Sequence, residues 1–78
     1  MTSQDFRLAL RAFAGRQPFK RFVIEFMSGD MLLIRHPEVV RHRGDLVVYT
    51  SPKGSQRLVD SESVCQLIDE VERPIDIS

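Results

Sequence analysis

Large apolar residues recur at every second position in the first half of the chain. Every second position is apolar in two short runs, at Phe22, Ile24 and Phe26 and again at Leu32 and Ile34. A period of two is typical of a β-strand with one buried face, and the intervening Ser28-Gly29-Asp30 is typical of a tight turn. This pattern predicts a hairpin with strands at about 21–27 and 31–40, the second bent near Pro37.

A different period precedes the hairpin. Phe6, Ala9, Leu10 and Phe13 follow the i, i+3, i+4, i+7 spacing of an amphipathic helix. Thr2 and Asp5 form a capping pair, Gly15 stands at the expected end, and Pro18 prevents continuation. We therefore expect a helix over about 2–14. A helix of this length requires docking of its apolar face.

Three further strands are predicted downstream. Residues 46–50 are strongly β-prone, residues 56–60 follow a Pro- and Gly-containing turn at 51–55, and residues 64–71 follow the polar corner 61–63. Residues 41–45 are expected to form a turn, and 74–78 a loose tail. Short connections place successive strands side by side. The predicted fold is mainly β with an N-terminal helix: one domain, 1–78, containing a small five-stranded antiparallel Sm-like or SH3-like barrel over about 19–72. A layered α+β meander is the main alternative.

The periodic apolar faces define a predicted core. We expect twelve residues to pack there: Phe6, Leu10, Phe13, Phe22, Ile24, Phe26, Leu32, Ile34, Val48, Leu58, Val64 and Leu67. Six others remain for the opposite face: Val23, Met27, Leu33, Val47, Tyr49 and Ile68. A chain of 78 residues has difficulty hiding both sets, and exposed apolar surface usually marks an interface.

Charge adds a second asymmetry. The formal net charge is zero, yet residues 1–57 carry a net charge of +5 and residues 58–78 a net charge of −5. Such a chain can attract phosphate with one region, or pair its basic region with the acidic region of a neighbour. Solvated surface charges are the alternative reading.

The densest basic cluster is the candidate binding site. It comprises Arg35, His36, Arg41, His42 and Arg43, at the end of the second strand and in the turn after it. Exposed cations bind phosphate, and arginine can stack on bases, so RNA or single-stranded nucleic acid is a candidate ligand. Glu38 and Asp45 dilute the cluster, and Tyr49, its nearest aromatic residue, is distant in sequence.

Catalytic and metal chemistry are not predicted. The spacing of His36 and His42 does not place both on one face, and no paired cysteines indicate zinc. The single Cys65 lies in an apolar, acid-flanked strand, where we expect a packed or half-buried thiol rather than a nucleophile. We expect no enzyme activity, cofactor, metal or small-molecule substrate. A single cysteine, no signal peptide and no apolar run long enough to span a bilayer favour a cytoplasmic protein.

Two segments resemble a group of small uncharacterised bacterial proteins common in planctomycetes. One runs from Arg16-Gln17-Pro18-Phe19 to Arg35-His36-Pro37-Glu38, and the other contains Leu58-Val59-Asp60. The order of elements is also similar to the Sm-like fold, in which a helix precedes a bent five-stranded barrel. The Tyr-Lys-His signature of the bacterial host factor is absent, and the acidic residues 60–63 stand near the matching corner. The resemblance therefore implies the fold more than RNA binding.

Two functions follow from these observations. The favoured one is a self-assembling interaction protein of Sm-like type, a homo-oligomer whose acidic C-terminal strand meets a basic neighbour. The alternative is a nucleic-acid-binding module that uses the basic cluster between Arg35 and Arg43.

Overall fold

A computed structural model describes residues 1–44 and 46–70. Within these ranges it contains one α-helix and six β-strands. The helix, α1, is Ser3–Ala14. The strands are β1 Phe22–Phe26, β2 Met31–Ile34, β3 Val40–Arg43, β4 Leu46–Thr50, β5 Gln56–Val59 and β6 Val64–Asp69.

Helix α1 begins and ends where the sequence predicts. The Thr2 hydroxyl accepts a hydrogen bond from the Asp5 backbone N–H at 3.1 Å, which caps the first turn. Phe6 and Leu10 are buried on the apolar face of the helix. Gly15 ends the helix at a close approach, because a Cβ there would lie 2.8 Å from the Arg11 carbonyl oxygen.

The strands form two antiparallel sheets of three strands each among the described residues, ordered β2-β1-β6 and β3-β4-β5. Phe22 pairs with Ile34 on one side and Asp69 on the other, so the central strand β1 aligns the first sheet. The predicted hairpin turn is confirmed. Gly29 supplies a φ of 95°, which residues with a Cβ rarely adopt, at the close of this turn.

The predicted long second strand is broken in the middle. Pro37–Val39 form a 3-10 turn between β2 and β3, because proline cannot donate a ladder hydrogen bond. The mainly-β class with an N-terminal helix is confirmed. The closed five-stranded barrel is wrong, since six strands in two sheets replace it in the described part. The predicted turn at 41–45 is also wrong for Arg41–Arg43, which form β3.

Helix and both sheets contribute to one core. It consists of Phe6, Leu10, Phe22, Ile24, Phe26, Ile34, Val40, Val47, Val59, Val64 and Leu67. Phe13 and Leu32 are partly buried against it. These positions agree with the predicted faces of the helix, β1, β2 and β6.

The predicted faces of β4 and β5 are inverted. Val47 and Val59 are buried, whereas Val48 is half-buried and Leu58 is 65% exposed. Both faces of the segment Leu46-Val47-Val48-Tyr49 are apolar, so the sequence pattern does not show which face of β4 points to the core. The register pairs Val47 with Val59 and Val48 with Leu58, and an error in one strand therefore repeats in the other.

Some predictions lie outside the described residues. These are the tail at 74–78, the last predicted strand residue Val71, and Asp45 of the predicted turn. The polar corner is confirmed as a 3-10 turn at Ser61–Ser63. In the described ranges, no helix has the length and apolar character needed to cross a membrane.

Candidate interaction surfaces

The structure divides the predicted basic cluster among three surfaces. Because β3 is a strand, its alternate side chains point to opposite faces. Arg41 and Arg43 lie on the outer face of the second sheet, and His42 lies on the inner face beside α1. Arg35 and His36 lie before the 3-10 turn, in a separate groove.

We call this separate depression the tyrosine groove. It has a volume of about 610 Å³ and is lined by Leu32, Leu33, Arg35, His36, Val39, Tyr49 and Pro52. Leu32, Leu33, Val39 and Tyr49 are half-buried, while Arg35 and His36 are exposed at its rim. The groove therefore combines an apolar floor with cationic edges.

Sequence reasoning set Tyr49 aside as too distant from the basic cluster. It is far from Arg35 along the chain, yet both line the same groove. The register places Tyr49 opposite Val40, immediately after the 3-10 turn that follows His36. The 3-10 turn at Pro37 lets Tyr49 and the basic side chains line one groove. The local sequence does not show how the chain bends at this turn.

A second surface, which we call the arginine–leucine face, covers the outside of the β3-β4-β5 sheet. It comprises Arg41, Arg43, Leu46 and Val48. Glu38 lines the same depression as the two arginines, and Leu58, the partner of Val48, continues this face onto β5. Arg43 pairs with Leu46, and Arg41 pairs with Val48. Within the described ranges, neither arginine makes a hydrogen bond or an ion pair through its side chain. Leu46 is 54% exposed, so apolar and cationic groups are both available there.

A third surface, the acidic corner, lies beside the 3-10 turn that precedes β6. We define it by Met27, Leu58, Asp60 and Glu62, which line a groove of about 430 Å³. Arg57 lines the same groove, with its guanidinium over the Phe26 ring. Met27 is 71% exposed. The Asp60 carboxylate accepts a hydrogen bond from the Glu62 backbone N–H at 3.1 Å. Neither acid forms an ion pair with another described residue.

The other acidic side chains on the β6 side are already paired. Arg16 Nη1 lies 2.6 Å from Asp69 Oδ1, and Arg21 Nη2 lies 2.6 Å from Glu70 Oε1. These contacts neutralise the end of β6. Of the described acids near β6, Asp60 and Glu62 form no ion pair, and Glu25 accepts a hydrogen bond from the neutral Gln66 side chain.

The predicted outer apolar set is only partly correct. Val23 pairs with Leu33 and with Ile68, and these three half-buried residues form a row across the outside of the first sheet. Met27 is exposed and Tyr49 is half-buried. Val47 and Tyr49 are wrong, because Val47 is buried in the core and Tyr49, on the same face of β4, packs against it.

His42 is exposed beside the helix, in a cationic environment. It lines small cavities on both sides, one with Arg7 and one with Arg11. Burial lowers the pKa of His42 below its ordinary value of 6.5, and the positive charges of Arg7 and Arg11 lower it further. Arg7 also donates a hydrogen bond to the Gly44 carbonyl oxygen at 3.2 Å, which anchors it near β3.

Cys65 is exposed, contrary to the prediction of a packed or half-buried thiol. The register between β1 and β6 shifts at Glu25 and Phe26. This irregularity turns Val64 and Leu67 inward and leaves both Cys65 and Gln66 exposed. His36 and His42 lie on separate surfaces, and the described residues contain no group of three or more His, Cys, Asp or Glu suited to a metal ion.

Comparisons of the chain with protein-family models, curated proteins and solved structures find no match. The functional argument therefore rests on the three surfaces.

Proposed function

We propose that this protein is a self-assembling interaction protein of Sm-like type, in which the arginine–leucine face of one copy packs against the acidic corner of the next. The observation that carries the proposal is the complementarity of these two surfaces. One combines Leu46 with arginines that form no ion pair with a described residue, and the other combines Met27 and Leu58 with acids of which the same is true.

Apolar contact supplies the driving force in this account. Leu46, Leu58 and Met27 are each more than half exposed. Burying such side chains against a partner stabilises a complex, and unpaired charges of opposite sign set its orientation. Exposed apolar patches on small proteins usually mark interfaces, and we assign that role to these side chains.

Strand β5 adds a backbone contribution. In the described ranges β5 pairs with β4 alone, so its other edge has hydrogen-bonding groups without a strand partner. Open edges of this kind pair readily with another chain. Leu58 of the acidic corner lies on this strand, and Arg57 beside it lines the same groove.

The proposed contact joins two non-identical surfaces, which adjoin on each copy where Val48 pairs with Leu58, and it is therefore heterologous. Such contacts generate rings when the rotation closes and open filaments when it does not. The Sm-like assignment is supported by the order of elements, in which an N-terminal helix precedes the strands, a bend at Pro37 separates β2 from β3, and a 3-10 corner precedes the last described strand.

Substitution of one exposed leucine tests the proposal against a matched control. Leu46 is 54% exposed on the proposed interface, and Leu8 is 55% exposed on the helix. We expect Leu46→Gln to lower the mass measured by light scattering, whereas Leu8→Gln leaves the mass unchanged. Equal masses for both variants and the unaltered protein would contradict the proposed interface.

A charge exchange tests the pairing directly. Arg43→Glu places like charges on the two surfaces and should weaken assembly, as should Glu62→Arg. The double variant restores opposite charges, and we expect it to recover the larger mass. If the double variant kept the lower mass, Arg43 and Glu62 would not be partners across the interface.

A second candidate function is binding of RNA or single-stranded nucleic acid. It is favoured by Tyr49, whose ring lies in one groove with Arg35 and His36 and so adds a stacking surface to cations. Binding of a labelled oligonucleotide should weaken steeply as salt rises. Arg35→Glu should weaken it further, and no binding at low salt would exclude this function.

A further inference from the structure

The tyrosine groove lies along an open edge of the first sheet. Strand β2 is an outer strand, and in the described ranges it pairs with β1 alone. Leu32 and Leu33 of this strand line the groove, as does Arg35 directly after it, whereas no residue of β1 does. The groove therefore lies on the side of β2 that faces away from β1. We call this side the β2 edge.

The hairpin determines which backbone groups point to the β2 edge. The Phe26 N–H donates a hydrogen bond to the Asp30 carbonyl oxygen at 2.9 Å, at the start of the ladder. Hydrogen-bonded and non-hydrogen-bonded positions alternate in an antiparallel pair, so Leu32 and Ile34 direct their N–H and C=O groups to β1. Leu33 directs its N–H and C=O groups away from β1, and no other described residue makes a hydrogen bond to them.

The side chains beside this edge differ between the two faces of the strand. Leu32, Val39 and Tyr49 are half-buried and pack against the core. Arg35 lies two residues after Leu33 and is exposed. Its guanidinium makes no hydrogen bond or ion pair with another described residue. An extended chain placed along the β2 edge therefore meets apolar surface with one of its faces and a cation with the other.

We propose that the β2 edge binds an extended, acidic segment of a partner protein by strand addition. The backbone of the segment pairs with Leu33. Its apolar side chains pack against Leu32 and Tyr49, and a carboxylate between them pairs with the Arg35 guanidinium. A free fatty acid has the same apolar and anionic character but leaves the backbone groups of Leu33 without partners. The groove volume of about 610 Å³ lies within the roughly 300–1,000 Å³ typical of ligand sites.

This binding goes beyond the proposed assembly and uses a different edge of the molecule. Assembly uses the open edge of β5 in the second sheet, whereas the peptide uses the open edge of β2 in the first sheet. The variant Leu46→Gln, designed to remove assembly, therefore keeps the peptide site. Measuring peptide binding in both the unaltered protein and Leu46→Gln lets the two proposals fail separately.

Tyrosine fluorescence reports on the groove directly, because Tyr49 is the only tyrosine and the chain contains no tryptophan. The probe is a peptide of about five residues, blocked at both ends, with a central aspartate between two valines and a serine at each end. We expect saturating peptide to lower the acrylamide quenching constant of Tyr49 roughly twofold, as the ring is covered. An unchanged quenching constant at millimolar peptide would overturn the proposal.

A backbone-modified peptide separates strand addition from simple burial of an apolar acid. Methylation of its backbone nitrogens keeps every side chain and the charge but removes the N–H donors. We expect this peptide to bind at least roughly tenfold more weakly than the unmodified one, because the hydrogen bonds to Leu33 are lost. Equal affinity of the two peptides would overturn strand addition.

A charge exchange tests the contact with Arg35. Arg35→Glu should weaken binding of the aspartate peptide roughly tenfold and should improve binding of the same peptide with lysine in place of aspartate. Arg43→Glu makes the same charge change outside the groove and should leave both affinities unchanged. An equal effect of the two substitutions would contradict the proposed ion pair.

Two other occupants of the groove give different results in the same fluorescence measurement. An oligonucleotide that protects Tyr49 while the peptide does not would assign the groove to nucleic acid and overturn the proposal. In Leu46→Gln without peptide, the quenching of Tyr49 should not depend on protein concentration. Quenching that falls as the concentration rises would assign the groove to a second copy and would also overturn the proposal.

Discussion

Val59 and Leu58 are neighbours in β5 whose side chains point to opposite faces of the sheet. Val59 is 4% exposed and Leu58 is 65% exposed. We expect Val59→Ala to lower the free energy of unfolding by about 2 kcal/mol, from lost burial and the cavity left behind. Leu58→Ala should change it by less than about 0.5 kcal/mol in the monomer.

Urea unfolding at a protein concentration that gives monomers measures both changes. A larger cost for Leu58→Ala than for Val59→Ala would mean that the register of β4 and β5 is shifted by one residue. The same result would mean that Val48 and Leu58 face the core, as the sequence analysis predicts.

His42 gives stability a dependence on pH. Its pKa in the folded protein lies below the ordinary value of 6.5, so the unfolded chain binds a proton more readily. Stability should therefore fall as pH decreases from 6.5 toward the lower folded pKa, and the loss should stop below that value. Arg7 and Arg11 of the helix are the charged groups that oppose protonation.

Thermal unfolding across this pH window tests the role of His42. The melting temperature of His42→Gln should fall less on acidification than that of the unaltered protein. Arg11→Gln, which removes one opposing charge, should give an intermediate slope. Identical slopes for the unaltered protein and His42→Gln would show that other groups cause the dependence.

At the scale of elements, the sequence predicts a strand well when only one of its faces is apolar. In β1, Phe22, Ile24 and Phe26 share one face, and the smaller Val23 and the charged Glu25 share the other. The burial of the three larger residues follows the prediction. In β4 both faces are apolar, and packing against β5 decides the phase. The tyrosine groove was also beyond prediction, because it depends on the angle that the chain adopts at Pro37.

Arg16 connects three elements at the end of α1. Its Nε donates to the Phe13 carbonyl oxygen at 3.2 Å, and Nη2 donates to the Lys20 carbonyl oxygen at 3.0 Å. Nη1 lies 2.6 Å from Asp69 Oδ1, and the guanidinium stacks 4.8 Å from the centre of the Phe13 ring. A lysine ammonium cannot reproduce this planar set of donors.

We expect Arg16→Lys to lower the free energy of unfolding by about 1–2 kcal/mol, from lost hydrogen bonds and stacking. Arg21→Lys is the matched control, because Arg21 is described in one exposed ion pair with Glu70 and should cost less than about 0.5 kcal/mol. Urea unfolding compares the two. Equal costs would show that the backbone contacts of Arg16 contribute little.

At the scale of the whole molecule, the fold places charges from the two chain regions on different surfaces. The basic region contributes Arg41 and Arg43, and the acidic region contributes Asp60 and Glu62. Sequence reasoning predicted that a basic region would meet an acidic one. It could not identify the surfaces, because they depend on which acids are already paired with Arg16 and Arg21.

The mass of the protein in solution tests the central claim most directly. Light scattering across a concentration series should give a dimer or a larger assembly that dissociates on dilution, since the proposed contact joins separate copies. Raising the salt concentration should shift dissociation to higher protein concentration, because the paired charges are screened. A monomer mass that persists at high micromolar concentration and low salt would contradict the account.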